Sequence, residues 1–194
     1  MGGGAAAAAE AIAQANAAPL AQLARVNLVG LRDGRFYLLE TLRAFALEQL
    51  TAADQLAATQ QAHAHYYAQL TQEVFAGLLG EEQGVWMPRA LADQDNFLAA
   101  LRWALAAGME AAVAIAGNLW WFWYRRSPVC PWGRELLTAA LQLPSTDLSR
   151  RARANGLASF CLELGDYAAN LTYHEEGLAL RRQQRPPGHL DCAA

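Results

Sequence analysis

Two histidines in a helical stretch, His63-Ala64-His65, could suggest a metal site. Positions two apart on a helix face different directions, so the pair cannot easily share one ion, and no carboxylate or cysteine cluster completes a ligand set. Packing is the simpler role. Asp95-Asn96 could be a polar active-site pair, but a buried asparagine tying a helix to the loop before it is the commoner arrangement. Cys130 precedes Pro131 with no histidine nearby in sequence, so nothing activates it as a nucleophile. The run Leu119-Trp120-Trp121-Phe122-Trp123-Tyr124 could line a ligand pocket or stack bases. Consecutive helix positions point all around the axis, however, and burying each large ring contributes on the order of 2–3 kcal/mol, so the run reads as core. Trp121 and Tyr124, three apart, are the pair to expect on any open face. No acid, base and nucleophile can be placed together. The reading is a protein that is not an enzyme, with no catalytic, cofactor-binding or metal residues.

Composition narrows the field further. All 15 basic residues are arginine, and lysine does not occur. A Walker A phosphate loop needs lysine, as do Schiff-base and lysine-general-base chemistry, so the chain is not a standard P-loop hydrolase. A net charge of −3 gives no broad basic field for gripping nucleic acid. Arg125-Arg126 and Arg150-Arg151-Arg153 are local basic spots that solvated helix ends explain, and Glu40 and Arg43, three apart, suit a weak helix-surface ion pair. Cys130, Cys161 and Cys192 are odd in number and far apart, with neither a CxxC pair nor a disulfide framework, which points to a reducing cytoplasm. Met1-Gly2-Gly3-Gly4 followed by five alanines has no basic n-region and no leucine-rich core, so a signal peptide is not expected. The longest apolar stretch, residues 111–124, includes Asn118 and falls short of the roughly 20 residues needed to cross a bilayer. No membrane association is expected.

The elements that must carry these residues are mostly helical. Residues 1–20 are a low-complexity tail of alanine and glycine to which no element is assigned. The apolar runs at 27–31 and 35–39 flank Arg32-Asp33-Gly34, the signature of a β-hairpin, which must lie against helices to be stable. Leu39, Leu42, Ala46 and Leu50 recur at steps of three and four. Leu56, Gln60, His63, Tyr67, Leu70 and Val74 form a second stripe, and Leu91, Leu98, Leu101 and Leu105 a third, stopped by Gly108. Residues 109–124 are apolar on most faces and should be sandwiched between neighbours. Ser127-Pro128 should break that helix and Pro131 start the next, with Leu136, Leu137, Ala140 and Leu141 inward and an end before Pro144. Arg151 to Leu164 predicts one helix, Gly165-Asp166 a tight turn, and Tyr167 to about Gln183 another, before Arg185-Pro186-Pro187-Gly188 and a tail over 185–194.

Two matched helices joined by Gly-Asp resemble a tetratricopeptide repeat, whose period is about 34 residues. Leu157 takes the large apolar position of the first helix, Gly165-Asp166-Tyr167 the turn, and Leu178 a place near the end of the second helix. Ala158, Asn170 and Gly177 depart from the pattern. Two further segments are narrower. Phe36-Tyr37-Leu38-Leu39-Glu40-Thr41-Leu42-Arg43-Ala44-Phe45-Ala46 through Leu50 is similar to "YRLLETxRxYAxExL". That phrase closes the winged-helix domain in bacterial STAND-class signal-transduction ATPases, including large LuxR-type transcription factors. Trp86 with Asp95-Asn96-Phe97-Leu98-Ala99-Ala100-Leu101-Arg102-Trp103 resembles the same family's "W…DNLRAALxW", and Leu119 to Trp123 its "LWWFW" helix.

The resemblance implies residues 21–52 as a winged-helix remnant, a β-hairpin plus a linking helix, and 53–184 as a tetratricopeptide-like repeat region. The expected fold is all-α, with antiparallel helix hairpins stacked in a superhelix and one small β-hairpin. It implies a chain that begins after the ATPase, an absence of lysine that fits this, and DNA contact only through domains not in this chain. Its work would be binding a protein partner, a small-molecule effector or another copy of itself. Carried over from the repeat, the binding face of the last unit would comprise Ala152, Asn155, Ser159, Leu162 and Glu163. Rival readings are a DNA-binding winged-helix fragment supported by repeats and a stand-alone tetratricopeptide scaffold.

Overall fold

The computed structural model describes residues 3–13, 18–126, 131–145, 148–162 and 165–183, and they form two compact units, Met1–Ala107 and Gly108–Ala194. In chain order the first unit contains β1 (Gly3–Ala5), α1 (Ala6–Ala13), α2 (Ala18–Arg25), β2 (Gly30–Arg32), β3 (Arg35–Tyr37), α3 (Glu40–Ala52), α4 (Leu56–Leu79), α5 (Gln83–Ala92) and α6 (Gln94–Ala106). The second contains α7 (Ala111–Arg126), α8 (Pro131–Leu141), α9 (Leu148–Leu162) and α10 (Tyr167–Gln183). The molecule is mostly helical, with one small antiparallel sheet near its N-terminus.

The expected hairpin is present. Asp33 and Gly34 both take positive φ, 51° and 72°, the primed turn that suits the twist of two flanking strands, and Arg32 faces Arg35 across it. The sheet has a third strand that no local signal announces. β1 pairs antiparallel with β3, Gly3 opposite Tyr37, so the order is β1-β3-β2. The alanine-rich start is thus part of the fold: β1 joins the sheet, and α1 packs on α4 through Ala8.

α4 is the axis of this unit, in contact with α1, α3, α5 and α6. It buries Ala64, Tyr67, Ala68, Thr71, Val74 and Leu78, a face at three- and four-residue steps rotated slightly from the expected stripe. The expected single helix through Leu91 to Leu105 is two, because the chain turns at Asp93 between α5 and α6. Leu91 is exposed as a result, and Phe97, Ala100, Leu101 and Ala104 form the buried face of α6. Gly108 ends that stretch at φ 66°, the left-handed residue expected just past a helix. α2 and α3 bury no residue completely, and Val26, Leu31, Leu39 and Phe45 all remain exposed.

In the second unit α7 is enclosed from Ala112 to Leu119, as a helix apolar on most faces must be. α8 runs from Pro131 to Leu141 with Leu137, Ala140 and Leu141 buried. A short turn, with the Gly165 and Asp166 N–H groups both donating to the Leu162 carbonyl, folds α10 back along α9. Asp166 then caps α10, accepting from the Ala169 N–H through Oδ1 at 3.0 Å. α9 packs most extensively on α10, then on α7 and α8. A β-carbon built on Gly117 would collide with the backbone carbonyl of Arg150, so glycine is what lets α7 and α9 approach this closely.

Candidate functional site

The densest polar constellation in the first unit centres on a residue at a helix junction. Asp93 follows α5 and precedes α6, with its N–H bonded to the Arg89 carbonyl and its carbonyl accepting from Phe97. Its carboxylate is almost fully enclosed and meets Arg35 from β3 in a two-point ion pair, Nη2 to Oδ1 at 2.6 Å and Nη1 to Oδ2 at 3.2 Å. Asn96 donates to Oδ1 at 2.9 Å, and the Tyr67 hydroxyl donates to the same oxygen at 3.3 Å. Arg35 Nη2 also donates to the carbonyls of Gly3 and Ala92, and Asn96 Nδ2 donates to Gly3 as well. One carboxylate therefore fastens β1, β3, α4 and α6 together. Charged hydrogen bonds of this two-point kind are about twice as strong as neutral ones and fix geometry.

Electrostatics follow from the enclosure. Hydrogen bonding to Asp93 holds the Arg35 guanidinium above its ordinary range, against a smaller opposing effect of burial. Burial first, and the neighbouring carboxylate second, push the Tyr67 phenol well above its usual value, so it is a hydrogen-bond donor throughout the working range. His63 lies on Tyr67 with ring centroids 4.6 Å apart, and burial lowers its basicity more than Asp93 raises it. Tyr67 in turn meets Phe97 edge to face at 5.6 Å. Each of these Asp93 contacts is with a donor that binds and orients it. The arrangement holds structure.

A cavity of about 130 Å³ adjoins the pair, bounded by Tyr66, Leu70, Val74, Trp86, Arg89 and Phe97 among others. It has room for a few waters and is well below the roughly 300–1,000 Å³ of a typical ligand pocket. Arg89 lies over the Trp86 ring at 4.4 Å and covers one side.

The residues singled out for chemistry are dispersed. His63 is half-buried on Tyr67 and His65 is exposed, and among the described residues no three His, Cys, Asp or Glu side chains gather as a metal set. Asn96 has the tying role expected of it, while Asp95 points to solvent. In the aromatic run, Leu119 and Phe122 are fully buried and Trp123 nearly so, whereas Trp120 and Trp121 are half-buried and meet edge to face at 5.3 Å. The Tyr124 side chain, Cys130 and Cys192 lie outside the described residues, as does the side chain of Cys161. Arg43 bonds Glu40 at 3.2 Å on the surface. Arg151 and Arg153 correct the expectation of solvated helix ends. Arg153 donates to Asn118 of α7 at 3.0 Å, while Arg151 donates to the Leu141 carbonyl and reaches Glu176 at 3.8 Å.

The expected binding face of the last unit also needs correction. Ala152, Asn155, Ser159 and Leu162 are all 2% exposed or less, and Glu163 lies outside the described residues. α7, α8 and α10 all pack on α9, which leaves this stripe inside the unit. Ser159 donates to the Gly156 carbonyl and approaches His174 Nδ1 at 3.4 Å, and Asn170 donates to the Ser159 carbonyl. Asn155 is wholly enclosed, and neither amide atom has a partner among the described residues. Exposed apolar side chains are found instead on α10, at Tyr167, Leu171 and Leu178. No described helix is long and apolar enough to cross a membrane.

No protein-family model, no curated protein and no solved structure matches the chain.

Proposed function

We propose that this chain is a non-catalytic segment of a bacterial STAND-type transcriptional regulator, joining the end of a winged-helix domain to a helical-repeat module for sensing and assembly in the cytoplasm. The observation that carries the reading is α9, which packs on its own partner α10 and also on both helices of the preceding pair, α7 and α8. Helix pairs that bury one face internally and the other against the next pair are the unit of tetratricopeptide-like arrays, and such arrays work through the surfaces their outer helices present. The sequence phrases at 36–50, 86–103 and 119–123 occur in the family's order. Its mechanism is binding, with no cofactor, to a protein, an effector or another copy. The coding sequence upstream tests the family: a Gly-Lys-Ser or Gly-Lys-Thr phosphate loop ahead of residue 1 is expected, and an upstream frame without one contradicts it.

A second reading, a DNA-binding winged helix, is favoured by one feature. A strand, two short helices and a β-ribbon succeed each other over residues 3–37, with β3 in the middle of the sheet, and a helix pair followed by a ribbon is the layout that name describes. α2 offers only Arg25 as a charged contact. A gel shift on duplex DNA across a salt series separates the readings: steeply salt-dependent binding by this chain supports the second, and its absence supports the first.

A further inference from the structure

α10 carries apolar side chains on two faces. Its inner face sets Gly177, fully buried, and Asn170, Tyr173 and Leu180, half-buried, against the rest of the unit. Its outer face carries Tyr167, Leu171, His174 and Leu178, at steps of four, three and four, and all four are exposed, Tyr167 at 79% and Leu171 at 59%. A helix at the edge of a finished assembly is polar outside, because exposed leucine forgoes burial. Among the described residues nothing covers this stripe. The charges beside it say what can.

We propose that the outer face of α10 pairs antiparallel with α10 of a second copy of this chain, with Leu171 of each facing Leu178 of the other. This rests on and deepens the assembly reading above. In this register the two-fold axis passes between His174 and Glu175, and every contact occurs twice. Tyr167 meets Arg182 of the second copy, a guanidinium over an aromatic face. His174 meets Glu175 of the second copy, a ring N–H beside a carboxylate; its Nδ1 faces Ser159, which leaves the other ring nitrogen for this contact. The two leucine pairs lie on either side of the axis. All six positions lie within the 17 residues of α10, so the pairing uses nearly its whole length. A parallel pairing sets Glu175 against Glu175 and Arg182 against Arg182, and like charges placed directly opposite reject it. A single helix pair covers less than the roughly 1,600 Å² of a standard interface, so the dimer is weak, reversible and concentration-dependent.

Sedimentation equilibrium over a concentration series, with helix content followed by circular dichroism, tests the proposal on the full chain. The wild type is expected to shift from monomer to dimer as concentration rises. Leu171→Glu and Leu178→Arg, both at exposed positions, should each raise the midpoint concentration about tenfold or more while keeping their helix content. Mixing the two variants should restore dimers, because Glu at 171 then faces Arg at 178 while the other leucine pair stays intact. A mixture that remains monomeric overturns the antiparallel register. Dimerisation of both variants at the wild-type midpoint overturns the use of this face and leaves self-assembly standing. A wild type monomeric at every concentration overturns self-pairing altogether, while the family reading is decided separately by the upstream sequence. Should a charged variant lose helix content, Leu171→Gln and Leu178→Gln take its place, and unchanged dimerisation in both overturns the proposal.

Discussion

The two units solve one compositional problem in different ways. Of the 194 residues, 43 are alanine, which favours helix but buries little surface. The first unit supplies bulk and polarity: Tyr67 and Phe97 fill the space between α4 and α6, and the Arg35–Asp93 pair fastens the sheet to the helices. The second unit brings backbones close. Gly117 lies against Arg150, Gly177 lies against α9, and Ala112, Ala114, Ala116, Ala152, Ala154 and Ala158 are all enclosed. An alanine-rich chain needs either large rings between its helices or small residues where helices touch, because interiors are packed to near-crystalline density.

If the first unit depends on ring bulk, Phe97→Ala should be the most damaging change, at about 4 kcal/mol of unfolding free energy by urea titration. A loss under about 1 kcal/mol would show that the rings fill space without supporting it. Asp93→Ala should cost somewhat less, about 3 kcal/mol, because it strands a partly enclosed arginine and two further donors; both side chains keep some water contact, which moderates the effect. Asp93→Asn keeps an acceptor and should recover part of that loss. In the second unit Gly117→Ala sharpens the contrast. Helix propensity favours alanine by about 1 kcal/mol, but crowding against the Arg150 backbone costs about 1–3 kcal/mol, so a net loss of about 1 kcal/mol is expected. A net gain would mean that the close approach of α7 and α9 is not what holds them.

The smallest expected effect is one of pH. Burial lowers the His63 pKa in the folded state below its ordinary 6.5. Between the folded and unfolded values the unfolded chain binds more protons at this position, so stability falls as pH drops below about 6.5 and levels off once the folded ring titrates. His63→Gln should flatten that decline relative to the wild type in urea midpoints measured across this range, and identical slopes would count against the burial of this ring.

Legibility followed locality. The hairpin, the Gly108 stop, Pro131 at the start of α8 and the α9–α10 turn were readable because each rests on residues adjacent in sequence. β1 was not: glycine and alanine announce no strand, and its register comes from pairing with Tyr37 and Arg35, 34 and 30 positions from their partners Gly3 and Ala5. Asp93 was hidden for the same reason, since its partner Arg35 lies 58 residues before it and the leucines around it read as one uninterrupted stripe. The placement of Ala152, Asn155, Ser159 and Leu162 on an open face came from the repeat's pattern. Their own spacing, three, four and three, already described a single helix face, and four small or apolar residues on one face point inward. Asn155 and Ser159 obscured that signal by being polar.

Amide hydrogen exchange across the second unit tests most directly the claim that its helices depend on their neighbours. In the Gly117→Ala protein the account predicts faster exchange in α9 and α10 as well as in α7, because weakening one contact loosens the assembly that all three share. Faster exchange confined to α7, with α10 as protected as in the wild type, would contradict it.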